Sequence, residues 1–243
     1  MTLSKRAALL AACALLPLSG CQKASDDAFG QKVRAYLLEH PEVIEEAVTA
    51  LQAKKQAQAQ TAAKAQLARY REALERDPRD FVANPNGKHT VVEFFDYRCG
   101  YCKSSAPEIL ALIKQNPDIR FVFKEFPIFG DESDEAAKVA LTPEGKAKGL
   151  DLFRSFMTER SLDNPAIDRH LAAAGLNPAA VRAAAESPQV AKHIADTRAL
   201  AKALNLEGTP AFIVGDRLIP GADMAALNAA IVELKARDAK PMG

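Results

Sequence analysis

The residues of this chain best suited to chemistry are Cys99 and Cys102, which are separated by two residues. A Cys-x-x-Cys that follows a buried strand and opens a helix places its first sulfur at the helix N-terminus. Unpaired backbone N–H groups and the helix dipole favour a thiolate there, and Arg98 and Lys103 add positive charge nearby. We therefore expect Cys99 to be the attacking thiolate. Cys102, about one helical turn further in, is expected to resolve the mixed disulfide that forms.

The other two cysteines, Cys13 and Cys21, fall in a segment with the layout of an export signal. Two basic residues precede an apolar run that is too short to span a bilayer. The tetrapeptide Leu-Ser-Gly-Cys that ends at Cys21 resembles the lipobox of bacterial lipoproteins, in which the signal is cut before the cysteine and lipid is attached to it. This resemblance predicts a lipoprotein signal peptide over residues 1–20, lipid attachment at Cys21 and a lipid-anchored periplasmic protein. Gln22 favours the outer membrane. The alternative is an ordinary secretory signal with a chance cysteine nearby.

If both of those cysteines are removed or lipidated, Cys99 and Cys102 are the only thiols of the mature protein. A bridge that encloses two residues removes little chain entropy, which weakens an inert structural disulfide as an explanation. Zinc needs four ligands, and the histidines are scattered, with none at ligand spacing from the pair: His40, His89, His170 and His193. Copper(I) held by two thiolates is chemically reasonable because soft thiolates suit it. A redox pair with no metal or cofactor is the leading interpretation, and copper binding by the same thiols is the alternative.

Size and charge set limits on the fold and on partners. With 243 residues, 48% of them hydrophobic, the chain can hold one well-buried domain and an appendage. Its formal net charge is only +1, so no overall field favours binding to nucleic acid.

Hydrophobic patterns predict an α/β domain from residue 77 to residue 243. The β-branched and aromatic run 90–96 is typical of a buried central strand, and a helix and a second strand over 119–126 should complete a parallel unit. Residues 131–206 form an alanine-rich stretch interrupted by prolines, which predicts an insertion of several short helices. Residues 211–219 read as a hairpin, and 223–236 as a closing amphipathic helix.

The segment 21–76 is predicted to be a helical arm, broken at His40-Pro41. Ile44, Val48 and Leu51 recur at helical spacing, but 52–66 contains no large apolar side chain. Such a helix has no core to join. It could be a solvated linker between a lipid anchor and the catalytic domain, or a stalk whose apolar end packs against copies of itself.

Three segments resemble the DsbA family of periplasmic thiol-disulfide oxidoreductases, over about residues 77–237. The first runs from Glu93 to Cys102, the second is Phe-Lys-Glu-Phe-Pro-Ile at 123–128, and the third is Gly-Thr-Pro-Ala-Phe at 208–212. The resemblance implies a thioredoxin fold with an inserted helical subdomain. It also implies a cis Pro210 against the redox cysteines, with Thr209 offering backbone hydrogen bonds to an extended substrate.

Glu93 interrupts an apolar strand that we expect to be covered on both faces, where a carboxylate is costly unless it is paired or protonated. In relatives, the acidic residue at this spacing before the first cysteine helps to transfer the proton of the buried cysteine. Glu93 is therefore a candidate general base or acid for Cys102. A structural pair with Lys124 on the neighbouring strand is the other, compatible interpretation.

Two features of the sequence depart from the DsbA pattern and bear on the direction of the reaction. Gly100-Tyr101 is the dipeptide of the dimeric periplasmic isomerase DsbC, rather than the Pro-His of the oxidase. Residues 36–47 resemble the oligomerisation arm of ScsC-type copper-tolerance proteins. The expected function is thus disulfide formation or isomerisation in exported proteins, by a homo-oligomer that a membrane redox partner recharges.

Overall fold

The computed structural model describes residues 20–238, with side chains described for 27–237. The predicted signal peptide, through residue 19, and the Cys21 side chain lie outside these ranges. Contacts divide the chain into two compact units, with the boundary between Gln58 and Ala59.

The first unit is helical and carries many exposed apolar side chains. Helix α1 (Gly20–Glu39) ends just before His40, and α2 (Glu42–Arg69) continues into the second unit. Within the described part of this unit, no side chain is fully buried, and most of the larger apolar ones are exposed to solvent: Phe29, Val33, Tyr36, Leu38, Ile44, Val48 and Leu51.

The second unit is built on one five-stranded sheet in the order β1-β3-β2-β4-β5. Its strands are β1 (Phe81–Ala83), β2 (His89–Phe95), β3 (Ile119–Glu125), β4 (Ala211–Val214) and β5 (Arg217–Pro220). Strands β2 and β3 are parallel, whereas β1 and β4 pair antiparallel to their neighbours. The prediction that residues 90–96 form the buried central strand is confirmed, since β2 lies between β3 and β4. The hairpin β4–β5 is confirmed as well.

Helices cover the sheet and supply the insertion. They are α3 (Arg71–Glu75), α4 (Gly100–Gln115), α5 (Asp131–Ala140), α6 (Pro143–Ala147), α7 (Gly149–Thr158), α8 (Asn164–Ala173), α9 (Pro178–Ala185), α10 (Pro188–Ala203) and α11 (Met224–Asp238). The predicted all-helical insertion corresponds to α5–α10. Prolines open α6, α8, α9 and α10, because a proline at the first helical turn lacks only an N–H that would have no partner there.

The two faces of the sheet bury different sets of side chains. One face packs against α4 and the helical insertion in a cluster that includes Phe95, Phe123, Phe153 and both cysteines of the motif. The other face buries Phe94 and Val92 with residues of α10, and also with Leu67 and Leu74. The end of α2 and the short α3 therefore belong to the core of the second unit. Within the described residues, no helix combines the length and hydropathy that crossing a membrane requires.

Candidate active site

The Cys-x-x-Cys motif lies where β2 passes into α4. Cys99 is the N-cap of α4, and its Sγ accepts a hydrogen bond from the Cys102 backbone N–H at 3.4 Å. As a thiol it donates to the Thr209 carbonyl oxygen at 3.1 Å. The Thr209–Pro210 peptide bond is cis, as the resemblance implies. The loop before β4 thus lies directly against the first sulfur, and the structure brings Cys99, Cys102, Thr209 and Pro210 together.

The two sulfurs differ in their acidity. A hydrogen bond from the Cys102 thiol, helped by backbone N–H groups at the start of α4, lowers the pKa of Cys99 from 9.0 to about 6 against the opposing effect of burial. This thiol is therefore mainly ionised at pH 7. Cys102 has no exposed surface, and burial raises its pKa far above the usual value. The site therefore holds one reactive thiolate and one protonated thiol.

The two basic neighbours of the motif have other partners. The Arg98 guanidinium donates to the Phe129 carbonyl at 2.8 Å and pairs with Glu132 at 3.1 Å. The Lys103 ammonium donates to the Glu159 carbonyl. The expectation that these cations activate Cys99 finds no contact to support it; hydrogen bonds at the helix N-terminus lower its pKa instead.

Glu93 is buried in the middle of the sheet, between Phe123 of β3 and Phe212 of β4. Both of its carboxyl oxygens are buried, and neither has a hydrogen-bond partner among the residues that the structure describes. Burial, with a smaller effect of the negative charge of Cys99, raises the pKa of Glu93 from 4.5 to about 8. Its charge in turn contributes to the raised pKa of Cys102. Glu93 is thus mainly protonated at pH 7, and it interacts electrostatically with both cysteines.

The proposed pair between Glu93 and Lys124 is wrong. Lys124 aligns with Phe94, not with Glu93, in the parallel ladder, and because side chains alternate along a strand it points to the opposite face. There its ammonium group pairs with the buried Asp80 and donates to the Ala73 carbonyl at 2.6 Å.

Asp77, Asp80 and His193 form a cluster in which one potential ligand atom of each lies within 4.8 Å of the others. The Asp80 carboxylate is already bound by Lys124 and by His193, the latter at 2.9 Å, and Asp77 is paired with Arg79. Lys124 and Arg79 thus balance the negative charges of the two aspartates, so the cluster is a structural network of ion pairs.

An open groove of about 700 Å³ runs past Cys99. It is lined by Cys99, Gly100, Tyr101, Ser104, Ile128, Phe129, Glu207, Gly208 and Thr209. Three of these side chains are large, apolar or aromatic, and exposed: Tyr101 at 72%, Ile128 at 40% and Phe129 at 47%. An extended polypeptide laid in this groove would meet the sulfur, the Thr209 backbone and an apolar wall together.

Several residues around the site were not singled out from the sequence. Asp96, three residues before Cys99, is almost fully buried. Tyr97 donates from its hydroxyl to the buried Glu125 carboxyl at 2.8 Å, and burial raises the pKa of Glu125 well above 4.5. The signal available for Asp96 was an acidic side chain at the end of a buried strand. The sequence does not indicate that Ile128 and Phe129 line the groove, because their position beside Cys99 depends on the path of the β3–α5 loop.

Comparison with known proteins places this geometry in a family. The model described as a DSBA-like thioredoxin domain matches residues 90–232, more than half of the chain. The model described as the copper resistance protein ScsC N-terminal domain matches residues 26–58. Thiol:disulfide interchange protein DsbA of Bordetella pertussis is 29% identical over 137 residues, which cover 54% of this chain and 65% of that relative.

Solved structures extend the match into the arm. Salmonella enterica Typhimurium BcfH is 34% identical with a TM-score of 0.66, and the match covers 87% of this chain and 96% of that one. A linker-deletion mutant of Proteus mirabilis ScsC has 25% identity and a TM-score of 0.67, over 92% of this chain and 100% of that one. The chain therefore belongs to the DsbA-like thioredoxin family, with an N-terminal segment of the ScsC type.

Proposed function

We propose that this protein is a thiol-disulfide oxidoreductase that forms or rearranges disulfides in exported proteins. The observation that carries the proposal is the asymmetry of the motif: Cys99 has a pKa of about 6 and borders an open groove, whereas Cys102 is buried and protonated. A thiolate at the surface with a protonated partner behind it is the arrangement that two-step disulfide exchange requires.

The exchange follows from the positions of these atoms. The Cys99 thiolate attacks one sulfur of a substrate disulfide, which forms a mixed disulfide and releases the other substrate sulfur as a thiolate. Cys102 then loses its proton and attacks Cys99 Sγ, which expels the second substrate thiolate and leaves a Cys99–Cys102 disulfide. Running backwards, the same steps oxidise a substrate dithiol and reduce the pair.

Glu93 is proposed to take the proton of Cys102 in the resolving step and to return it in the reverse direction. This role needs the ionised form of Glu93, which is a minor fraction at pH 7 because its pKa is about 8. A group with a pKa near the working pH can both accept and donate, which suits a reversible reaction. Thr209 and Pro210 are proposed to bind the substrate backbone beside the sulfur.

The arm is proposed to make the protein an oligomer and thereby to favour isomerisation. Its apolar side chains are too exposed for a helix that stands alone: Phe29 is 69% exposed, Leu38 71% and Leu51 51%. Exposed apolar surface of this kind marks an interaction site, and a second copy of the same arm is the proposed partner. Several Cys99 sites around one substrate would raise the effective thiolate concentration near a trapped chain.

Refolding of a scrambled disulfide protein tests this proposal. The intact chain should restore activity to the substrate, and Cys99→Ser should restore none. A chain that starts at Ala59 should sediment as a monomer, lose isomerisation and keep dithiol oxidation; this start keeps Leu67 and Leu74 in the core. Val48→Glu with Leu51→Glu should have the same effect, and Gln52→Glu on the same helix should have none. A monomeric intact chain at micromolar concentration would refute the oligomer.

Export and lipid attachment at Cys21 are proposed from the sequence, and a solved Salmonella relative is described as periplasmic. Labelling of growing cells with a fatty acid should tag the wild-type chain and leave Cys21→Ser untagged. Fractionation of the membranes would then test the outer membrane as its location.

Copper(I) handling by the same two thiolates is the second candidate. It is favoured by the arm, because the matching family model is described as belonging to a copper resistance protein. Titration of the reduced protein with copper(I) and a competing chelator tests it. Tight binding that is lost in Cys99→Ser, together with inactivity on scrambled substrate, would reverse the order of the two candidates.

A further inference from the structure

The apolar wall of the groove belongs to a loop, Pro127–Gly130, between β3 and α5. This loop has no helix or strand of its own, yet it presents Ile128 and Phe129 beside Cys99. A wall of this kind can guide a substrate only if something fixes its distance from the sulfur.

The Asp96 carboxylate fixes the position of this wall. One oxygen accepts hydrogen bonds from the Ile128 N–H at 2.7 Å and the Phe129 N–H at 3.2 Å. The other accepts from the Arg98 N–H at 2.7 Å and the Ser133 hydroxyl at 2.8 Å. A single carboxylate with 1% exposure thus joins the groove wall, the loop that carries Cys99 and the first turn of α5.

Two arginines also donate hydrogen bonds to carbonyl oxygens of this loop. The Arg98 side chain donates to the Phe129 carbonyl at 2.8 Å, and Arg198 of α10 donates to the Pro127 carbonyl at 2.8 Å. Arg98 joins the wall to the redox loop through this one bond and Arg198 joins it to α10 through a single carbonyl, whereas the Asp96 carboxylate makes four bonds to three segments.

We propose that Asp96 is a positioning residue for substrate: it sets the distance between the apolar wall and Cys99, and so gives preference to extended segments with an apolar side chain next to the reacting cysteine. The inference rests on the proposed thiol-disulfide exchange. Asp96 touches neither sulfur through its carboxylate, so it should act on substrate affinity and not on thiol reactivity.

Asp96→Asn tests this inference, because the amide has the same shape but has one acceptor oxygen and no charge. Two substrates are compared: Ellman's reagent, which is too small to need the wall and is used in a single exchange with the reduced protein, and a disulfide peptide with phenylalanine beside its cysteine, for which reduced glutathione returns the pair to the dithiol after each turnover. The variant should raise KM for the peptide about 10-fold, equivalent to the loss of ~1.4 kcal/mol of binding. The peptide kcat and the rate with Ellman's reagent should stay within about twofold.

Further variants keep the test decisive if Asp96→Asn folds poorly. Ser133→Ala removes one of the four bonds and should raise KM by a smaller factor, while Asp151→Asn, an exposed carboxylate on α7, should change nothing. The chain contains no tryptophan, so Phe129→Trp gives a single reporter whose anisotropy should fall when Asp96→Asn is added.

The possible outcomes separate the two claims. An unchanged peptide KM in both Asp96→Asn and Ser133→Ala, or an equal fall in the rate with Ellman's reagent, would overturn the role of Asp96. A wild-type protein that is inactive on both substrates would overturn the proposed exchange activity instead.

Discussion

Replacing Glu93 with glutamine should change how the stability of the protein depends on pH. The folded protein keeps this proton up to a pKa of about 8, whereas the unfolded chain loses it near 4.5. Because the native state binds the extra proton between these values, the free energy of unfolding falls as pH rises through that window. At pH 7 the solution is about 2.5 pH units above the pKa of the unfolded state, and each unit corresponds to ~1.36 kcal/mol. Keeping Glu93 protonated therefore lowers the free energy of unfolding at pH 7 by about 3 kcal/mol.

Urea unfolding at pH 4.5 and pH 7, with a phosphine reductant to keep the cysteines reduced, measures this difference. The stability of Glu93→Gln relative to wild type should rise by about 3 kcal/mol between the two pH values. The constant cost of burying the amide cancels in that comparison. Glu72→Gln, an exposed position on α3, is the matched control and should show no such trend. Wild type and Glu93→Gln that change in parallel with pH would refute a buried, protonated Glu93.

Other variants probe the site and its support. Cys102→Ser should accumulate mixed disulfides with substrates, visible on non-reducing gels, because the attacking thiolate has no resolving partner; rapid release of substrate would contradict the assignment of Cys102. Glu93→Gln should also slow the resolving step at neutral pH, measured as the decay of a preformed mixed disulfide. Gly149→Ala should cost about 1–3 kcal/mol in urea unfolding, since a Cβ there would lie 2.3 Å from the Phe81 ring; Gly30→Ala, where space is open, should not.

The central strand and the redox pair were predictable because their signals are local. A β-branched run followed by Cys-x-x-Cys specifies a buried strand, a helix start and an activated sulfur within about a dozen residues. The helical insertion was predictable for a similar reason, since prolines and N-cap residues mark each helix start.

What the sequence could not provide were contacts between distant segments. Pairing of Glu93 with Lys124 was plausible from neighbouring strands, but the register places Lys124 opposite Phe94 and turns it to the other face. Leu67 and Leu74 gave no sign that they enter the core from the end of the arm. The four bonds of Asp96 depend on how the β3–α5 loop returns to the active site.

The pH dependence of alkylation at each cysteine tests the assignment of nucleophile and resolver most directly. Reduced wild-type protein is labelled with iodoacetamide from about pH 4 to about pH 9, and the labelled peptides are quantified by mass spectrometry. Labelling of Cys99 should rise with a midpoint near pH 6, and Cys102 should remain unlabelled throughout because it is buried and protonated. A Cys99 midpoint near its ordinary pKa of 9.0, or faster labelling of Cys102, would contradict the account.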